Sequence, residues 1–165
     1  MKKVFGIVAI IAGFSLLSAF FVPGLTDRHE SKQAAIHVLE NLKEQNFERA
    51  FNGVHYYDAA SDLAPETPFE EAKEIWSKRV HSLKEQGTHL VDYKNLSVEL
   101  DDTYPVGTVD LVMMINGEEK IIKDVSVWFG HHDGKWGLGN LHYYRENDRE
   151  EDWEKAFSGN IDRPE

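Results

Sequence analysis

No cysteine occurs in the 165 residues. Its absence excludes disulfide scaffolds, thiolate metal sites, thiol catalysis and a lipid-modified N-terminal cysteine. Basic side chains are scarce too: 18 Lys and Arg stand against 29 Asp and Glu, a formal charge of -11. Because Lys2 and Lys3 precede an apolar N-terminal run, the remainder is more acidic still. Such a balance repels phosphate backbones and anionic headgroups, so nucleic acid is not expected as a partner. Internal repeats and low-complexity segments are lacking. What is present is 41% hydrophobic residues in a chain long enough for one domain with appendages.

From Val4 to Val22 no side chain is charged. At about 1.5 Å per residue in a helix this run reaches roughly 28 Å, close to the hydrocarbon thickness of a bilayer. Lys2 and Lys3 lie before it, with Asp27 and Glu30 soon after, so the positive-inside rule puts the short N-terminus in the cytoplasm and the rest outside. A cleaved signal peptide is the alternative, but Ala19 with Leu17 two places before it is a poor small-x-small site. The expectation is an uncleaved, single-pass anchor over residues 1–25, or secretion if the segment is cut.

Asn116-Gly117 and Asp133-Gly134 are two-residue hairpin signals, since these residue types tolerate the positive φ such turns need. They divide Val106–Tyr144 into three strands of a meander. Val109, Leu111, Met113 and Ile115, then Val125, Val127 and Phe129, occupy alternate positions and give each strand an apolar face. Leu90–Leu100 reads as one or two further strands.

Upstream the apolar period is helical. Asp27 and Glu30 have capping-box form, and Ala35, Val38, Leu39 and Leu42 make one stripe. Asn46 is placed to cap a short helix carrying Phe47, Ala50, Phe51 and Val54. Thr67-Pro68-Phe69-Glu70 reads as a capping box with Pro at the first helical position. Phe69, Ala72, Trp76, Val80 and Leu83 then form a stripe that ends at Gly87. After Tyr144 the chain turns acidic. Asp148 and Glu151 offer another cap before Trp153 and Phe157, and either a short docking helix ending at Gly159 or a solvated tail fits residues 145–165.

The order helix, short helix, long helix, antiparallel sheet resembles the nuclear transport factor 2-like, or cystatin-like cone, superfamily. Leu42-Lys43-Glu44-Gln45-Asn46-Phe47-Glu48-Arg49-Ala50-Phe51 is similar to that family's turn between its first two helices. Leu83-Lys84-Glu85-Gln86-Gly87 resembles its third-helix exit, and Asp133-Gly134-Lys135-Trp136-Gly137-Leu138 its last hairpin. The match runs from about Ser31 to Tyr144 and includes extracytoplasmic, membrane-anchored members of Gram-positive type. It implies an α+β domain over residues 26–144, with three N-terminal helices packed on a curved, cone-like antiparallel sheet and a transmembrane helix before it.

Enzymes of this superfamily place Asp, His or Tyr on the helix-covered face, where this chain carries Val, Leu, Met, Ile and Phe. On the last strand Trp136, Leu138, Asn140 and His142 share one parity, although Gly137 and Gly139 are residue types that mark bulges, and one bulge inverts every parity beyond it. With Tyr56, Trp76 and Tyr93, the residues Trp136, Asn140 and His142 are the candidate lining of a ligand pocket. On the opposite face Val112, Met114, Ile122 and Trp128 form a candidate interface, for a weak homodimer or for coverage by Trp153 and Phe157. His131-His132-Asp133 is read as a turn, because adjacent histidines on a strand point apart, and neither metal nor cofactor is called for.

Three functions fit. The first is a membrane-anchored, extracytoplasmic, non-catalytic domain that binds a small apolar or peptidic ligand or an envelope protein. The second is an isomerase- or dehydratase-type enzyme using His142 with Tyr56. The third is a structural interaction module with no open pocket.

Overall fold

A computed structural model describes residues 24–59, 65–145 and 150–162. The anchor expected at residues 4–22 lies outside them, and among the described residues no helix is long and apolar enough to cross a membrane. The fold is α+β: helices first, then one antiparallel sheet.

Helix α1 covers residues 24–43, α2 is Phe47–Ala50 followed by a 3-10 turn at Phe51–Gly53, and α3 is Phe69–Glu85. Strands β1 (His89–Asp101), β2 (Tyr104–Ile115), β3 (Glu118–His132) and β4 (Lys135–His142) pair in sequence order, and α4 (Asp152–Phe157) closes the described chain. Both hairpin turns have positive φ at their two central residues, 53° and 81° at Asn116-Gly117 and 50° and 74° at Asp133-Gly134. That twist matches the strands they join.

The α1 stripe of Ala35, Val38, Leu39 and Leu42 is buried against the sheet face that carries Val109, Leu111, Met113, Val125, Val127 and Phe129. Ala72, Trp76, Val80 and Leu83 of α3 join the same core. Phe69 does not: its ring is 41% exposed. Gly87 stops α3 at φ 86°.

The caps differ from the sequence expectation. α1 is already helical at residue 24, so Asp27 is free to accept from the Trp136 indole at 3.0 Å instead of capping. Asn46 stands at the N-cap of α2 but turns its amide to Glu44. Pro68 is the N-cap of α3, and the Thr67 hydroxyl donates to Asp58 instead. Asp58 also accepts the Thr67 amide at 3.1 Å. These bonds, the Thr67 hydroxyl foremost, hold its carboxyl below the usual carboxylate range.

Bulges reset the faces of the sheet. Val109 pairs with Val125 but Leu111 with Ile122, so β3 carries one extra residue there, and Asp124 takes φ 55°. On β1 an extra residue falls at Asn95, φ 56°. Asp110, on the strand between, accepts from the Asn95 amide at 2.7 Å and the Asp124 backbone N–H at 3.0 Å. One outward carboxylate thus ties two bulges across three strands. A further bulge on β4 separates the pairs Trp128–Asn140 and Phe129–Leu138.

Helix α4 is a docking element. Trp153, Ala156, Phe157 and Ile161 belong to the core, and α4 lies against α3 and β4. It does not cover the outer face of the sheet, because Phe157 meets Leu42, Val80 and Leu90 on the helix side. Its capping box is Glu151 with Glu154. Arg79 of α3, itself buried, donates to the Ala156, Ser158 and Asn160 carbonyls and so closes the last turn of α4. Beyond it Gly159 and Ile161 hydrogen-bond with Tyr57, while His55 bonds Leu138. These short pieces cover the β4 edge, which would otherwise offer unpaired backbone. Gly159 is needed for space: an added Cβ would lie 2.0 Å from the His55 carbonyl oxygen.

Candidate functional site

The space between helices and sheet is filled. Trp76, Trp153, Phe51, Phe157, Leu39, Leu111, Met113 and Leu138 are all essentially inaccessible, and the void beside Leu42, Val80 and Phe157 is too small for water. The six predicted pocket residues are therefore dispersed. Trp76 is core, its ring 5.7 Å from Phe51. Tyr93 donates to Glu40 of α1 at 2.8 Å. Burial first, then that bond, push its hydroxyl up to about 12.

Asn140 and His142 lie on the outer face, opposite Trp128 and Ser126. The bulge on β4 is the reason: Leu138 and Leu141, three apart, both face the core, and everything between and after changes side. Asn140 bonds Tyr57 and Ser158 of the edge pieces. His142 meets a carboxylate that the sequence did not reveal: its Nδ1 is 3.2 Å from Glu154. Glu154 is 2% exposed and also accepts the Tyr143 and Glu151 backbone N–H groups, at 2.8 and 2.7 Å, and the Arg145 guanidinium. The arrangement anchors α4 to the end of β4. A shallow cavity of about 330 Å³ beside it is lined by Trp128, Asn140, His142, Tyr144, Glu150 and Glu154.

The predicted interface changes in the same way. Ile122 pairs with Leu111 and packs on the core, because of the Asp124 bulge. Ile121 takes its place outside, 57% exposed, next to Val112 and on the face of Trp128. Val112 itself is buried, and Met114 half-buried.

Besides Asn140 and His142, which share the outer cavity, the predicted residues Tyr56 and Trp136 come together. They line a cavity of about 460 Å³ at the β3–β4 turn, with His55, Phe69, His132, Asp133 and Lys135. Tyr56 is held by its hydroxyl on the Thr67 carbonyl at 3.2 Å and by ring contacts to Phe51 and Phe69. Burial raises the Tyr56 hydroxyl and the acids Asp58 and Asp133 add to the shift, so the phenol stays protonated as a donor. His55 rests on Gly130 and Gly137, where an added Cβ would collide with it. Its own burial, then His132 and His131, lower its proton affinity and keep it neutral. Phe69 and His55 carried no site signal in the sequence. Only the placement of α2 and its turn beside β4 makes them neighbours.

A wider furrow of about 650 Å³ runs between α2 and α3. Its walls are mainly Gln45, Asn46, Glu48, Arg49, Lys78 and Glu85, with Lys78 paired to Glu74 and with Phe47, edge-on to His81, as the one large apolar side chain. Among the described residues no three metal-ligating side chains converge. Comparison with protein-family models, curated proteins and solved structures finds no match, so the reading rests on this chain's own geometry.

Proposed function

We propose that this chain is a single-pass, membrane-anchored extracytoplasmic domain of the nuclear transport factor 2-like, cone-forming type. In this reading residues 4–22 span the bilayer, and the domain holds a small apolar ligand or a short peptidic segment of an envelope protein without transforming it. The observation that carries it is the 460 Å³ cavity in which Tyr56, Phe69 and Trp136 supply apolar walls and His55, His132 and Asp133 a few polar anchors. That size and mixture suit a binding pocket. The filled interior moves the ligand from the inside of the cone to its mouth. An isomerase or dehydratase using His142 with Tyr56 is disfavoured, because the two line separate cavities and Glu154 is committed to Arg145 and two backbone donors.

Mass spectrometry of small molecules or peptides released from the full chain, purified from its membrane, tests the proposal. One defined species should accompany the wild type and be lost from Phe69→Glu. A species equally retained by that variant, or none, counts against it. Weak pairing of two copies through the outer face is a second reading, favoured by the exposure of Trp128 and Ile121. Sedimentation should then show a concentration-dependent dimer that Trp128→Lys abolishes.

A further inference from the structure

The end of the domain where α1 begins carries a cluster of rings and apolar side chains of its own. Gly24 lies against the tip of the Leu100 side chain at the end of β1, where an added Cβ would come within 2.9 Å of it. One turn on, Asp27 holds the Trp136 indole at 3.0 Å. The Tyr104 ring meets Trp136 edge-on at 5.2 Å, and His131 lies 4.8 Å away on another side. Leu25 is 63% exposed and Tyr104 43%. The β1–β2 and β3–β4 turns both belong to this end. The Asn116-Gly117 turn lies at the other end of β2, whose 12 residues extend roughly 35–40 Å at strand rise.

We infer that this end docks on the bilayer surface, with Leu25, Tyr104 and Trp136 in the headgroup layer. The inference rests on the reading that residues 4–22 are an uncleaved anchor. In the sequence only Pro23 separates Val22, the last apolar residue of that segment, from the helix at Gly24. One residue spans about 3.8 Å between Cα atoms, too little to lift the domain off the membrane. The side chains that arrive there are the amphipathic aromatic kind that settles at the membrane–water boundary. Tyr104 has its hydroxyl on the Phe129 carbonyl and Trp136 its N–H on Asp27, so both rings present apolar surface with their polar atoms satisfied. The charges at this end include Asp27, Asp101, Asp102 and Asp133 against Arg28 and Lys135, an acidic balance that favours zwitterionic headgroups over anionic ones. Because Trp136 also lines the mouth cavity, a ligand held there lies next to the lipid surface.

The lack of cysteine makes single nitroxide labels unambiguous. Thr103→Cys and Lys135→Cys mark the docked end and Glu118→Cys the distant one, all at exposed positions. The full chain is reconstituted in phosphatidylcholine nanodiscs that contain a gadolinium-chelate headgroup lipid. Relaxation enhancement should be several-fold greater at positions 103 and 135 than at 118. Leu25→Ser with Tyr104→Ser should reduce it, and Trp128→Ser, on the outer face, should not. Equal enhancement at all three positions in a chain of intact mass overturns the docking and leaves the mouth cavity untouched. A mature N-terminus at Leu25 overturns the docking together with the anchor reading.

Discussion

Trp76 separates the contribution of bulk from that of a polar atom. Its side chain is inaccessible, tilted against the Phe51 ring, and its indole N–H has no hydrogen-bond partner among the described residues. Trp76→Ala removes a ring whose burial stabilises the fold by several kcal/mol, and the cavity left behind adds to the loss; about 3–5 kcal/mol is expected. Trp76→Phe leaves a smaller void, costing about 1–2 kcal/mol in lost contact. It also removes a donor that was desolvated without compensation, a return of about 1–3 kcal/mol. The two effects nearly cancel, so Trp76→Phe should lie within about 1 kcal/mol of the wild type. Urea denaturation of the full chain in detergent micelles, followed by far-UV circular dichroism, gives both values from the midpoint at unchanged slope. A loss below about 1 kcal/mol for Trp76→Ala would show that the interior is open rather than filled. A Phe variant as damaged as the Ala variant would mean that the indole N–H has a partner.

Gly159→Ala should cost about 1–3 kcal/mol by overpacking, since its Cβ would meet the His55 carbonyl; hydrogen exchange should quicken at the Tyr57 and Ile161 amides, which bond across that contact. Glu154→Gln should cost about 2–4 kcal/mol, because the Arg145 guanidinium loses its buried carboxylate, and limited proteolysis should release the α4 segment sooner. For His55 the folded proton affinity is lowered by burial and by its histidine neighbours. Protons therefore bind the unfolded chain first as pH falls below the ordinary histidine value, and stability drops until the lowered folded value is reached. His55→Gln should flatten the decline in stability between about pH 7 and pH 5, and an unchanged slope by thermal melting would show that His55 titrates normally.

The elements were legible where one local rule acts alone. Asn116-Gly117 and Asp133-Gly134 require positive φ whatever surrounds them, and the α1 stripe from Ala35 to Leu42 keeps one period over two turns. Faces were legible only up to the first bulge. Asp124 read as an ordinary outward residue of a strand, yet its left-handed backbone, held by Asp110, exchanges the roles of Ile121 and Ile122. Gly139 was visible as a glycine that could mark a bulge, but the bulge's effect on Asn140 and His142 depends on the pairing with β3, which no local pattern encodes. Long-range polar contacts were hidden for the same reason. Arg79 falls on the apolar face of α3, three residues after Trp76 and four before Leu83, and only the returning tail supplies the three carbonyls that let a guanidinium be buried there. Trp153 and Phe157 showed a helix by their spacing, without showing which side of the sheet it would cover.

The central claim is that ligand or partner meets this domain at the mouth cavity. A photoreactive benzoylphenylalanine at Phe69, on the cavity wall, tests it most directly, with the same residue at Ile75 as control, exposed on the same helix but outside the cavity. Illumination of the full chain in its own membrane should give one discrete adduct by intact mass at position 69 and none at 75. Identical adducts at both positions, or none at either, would contradict the account.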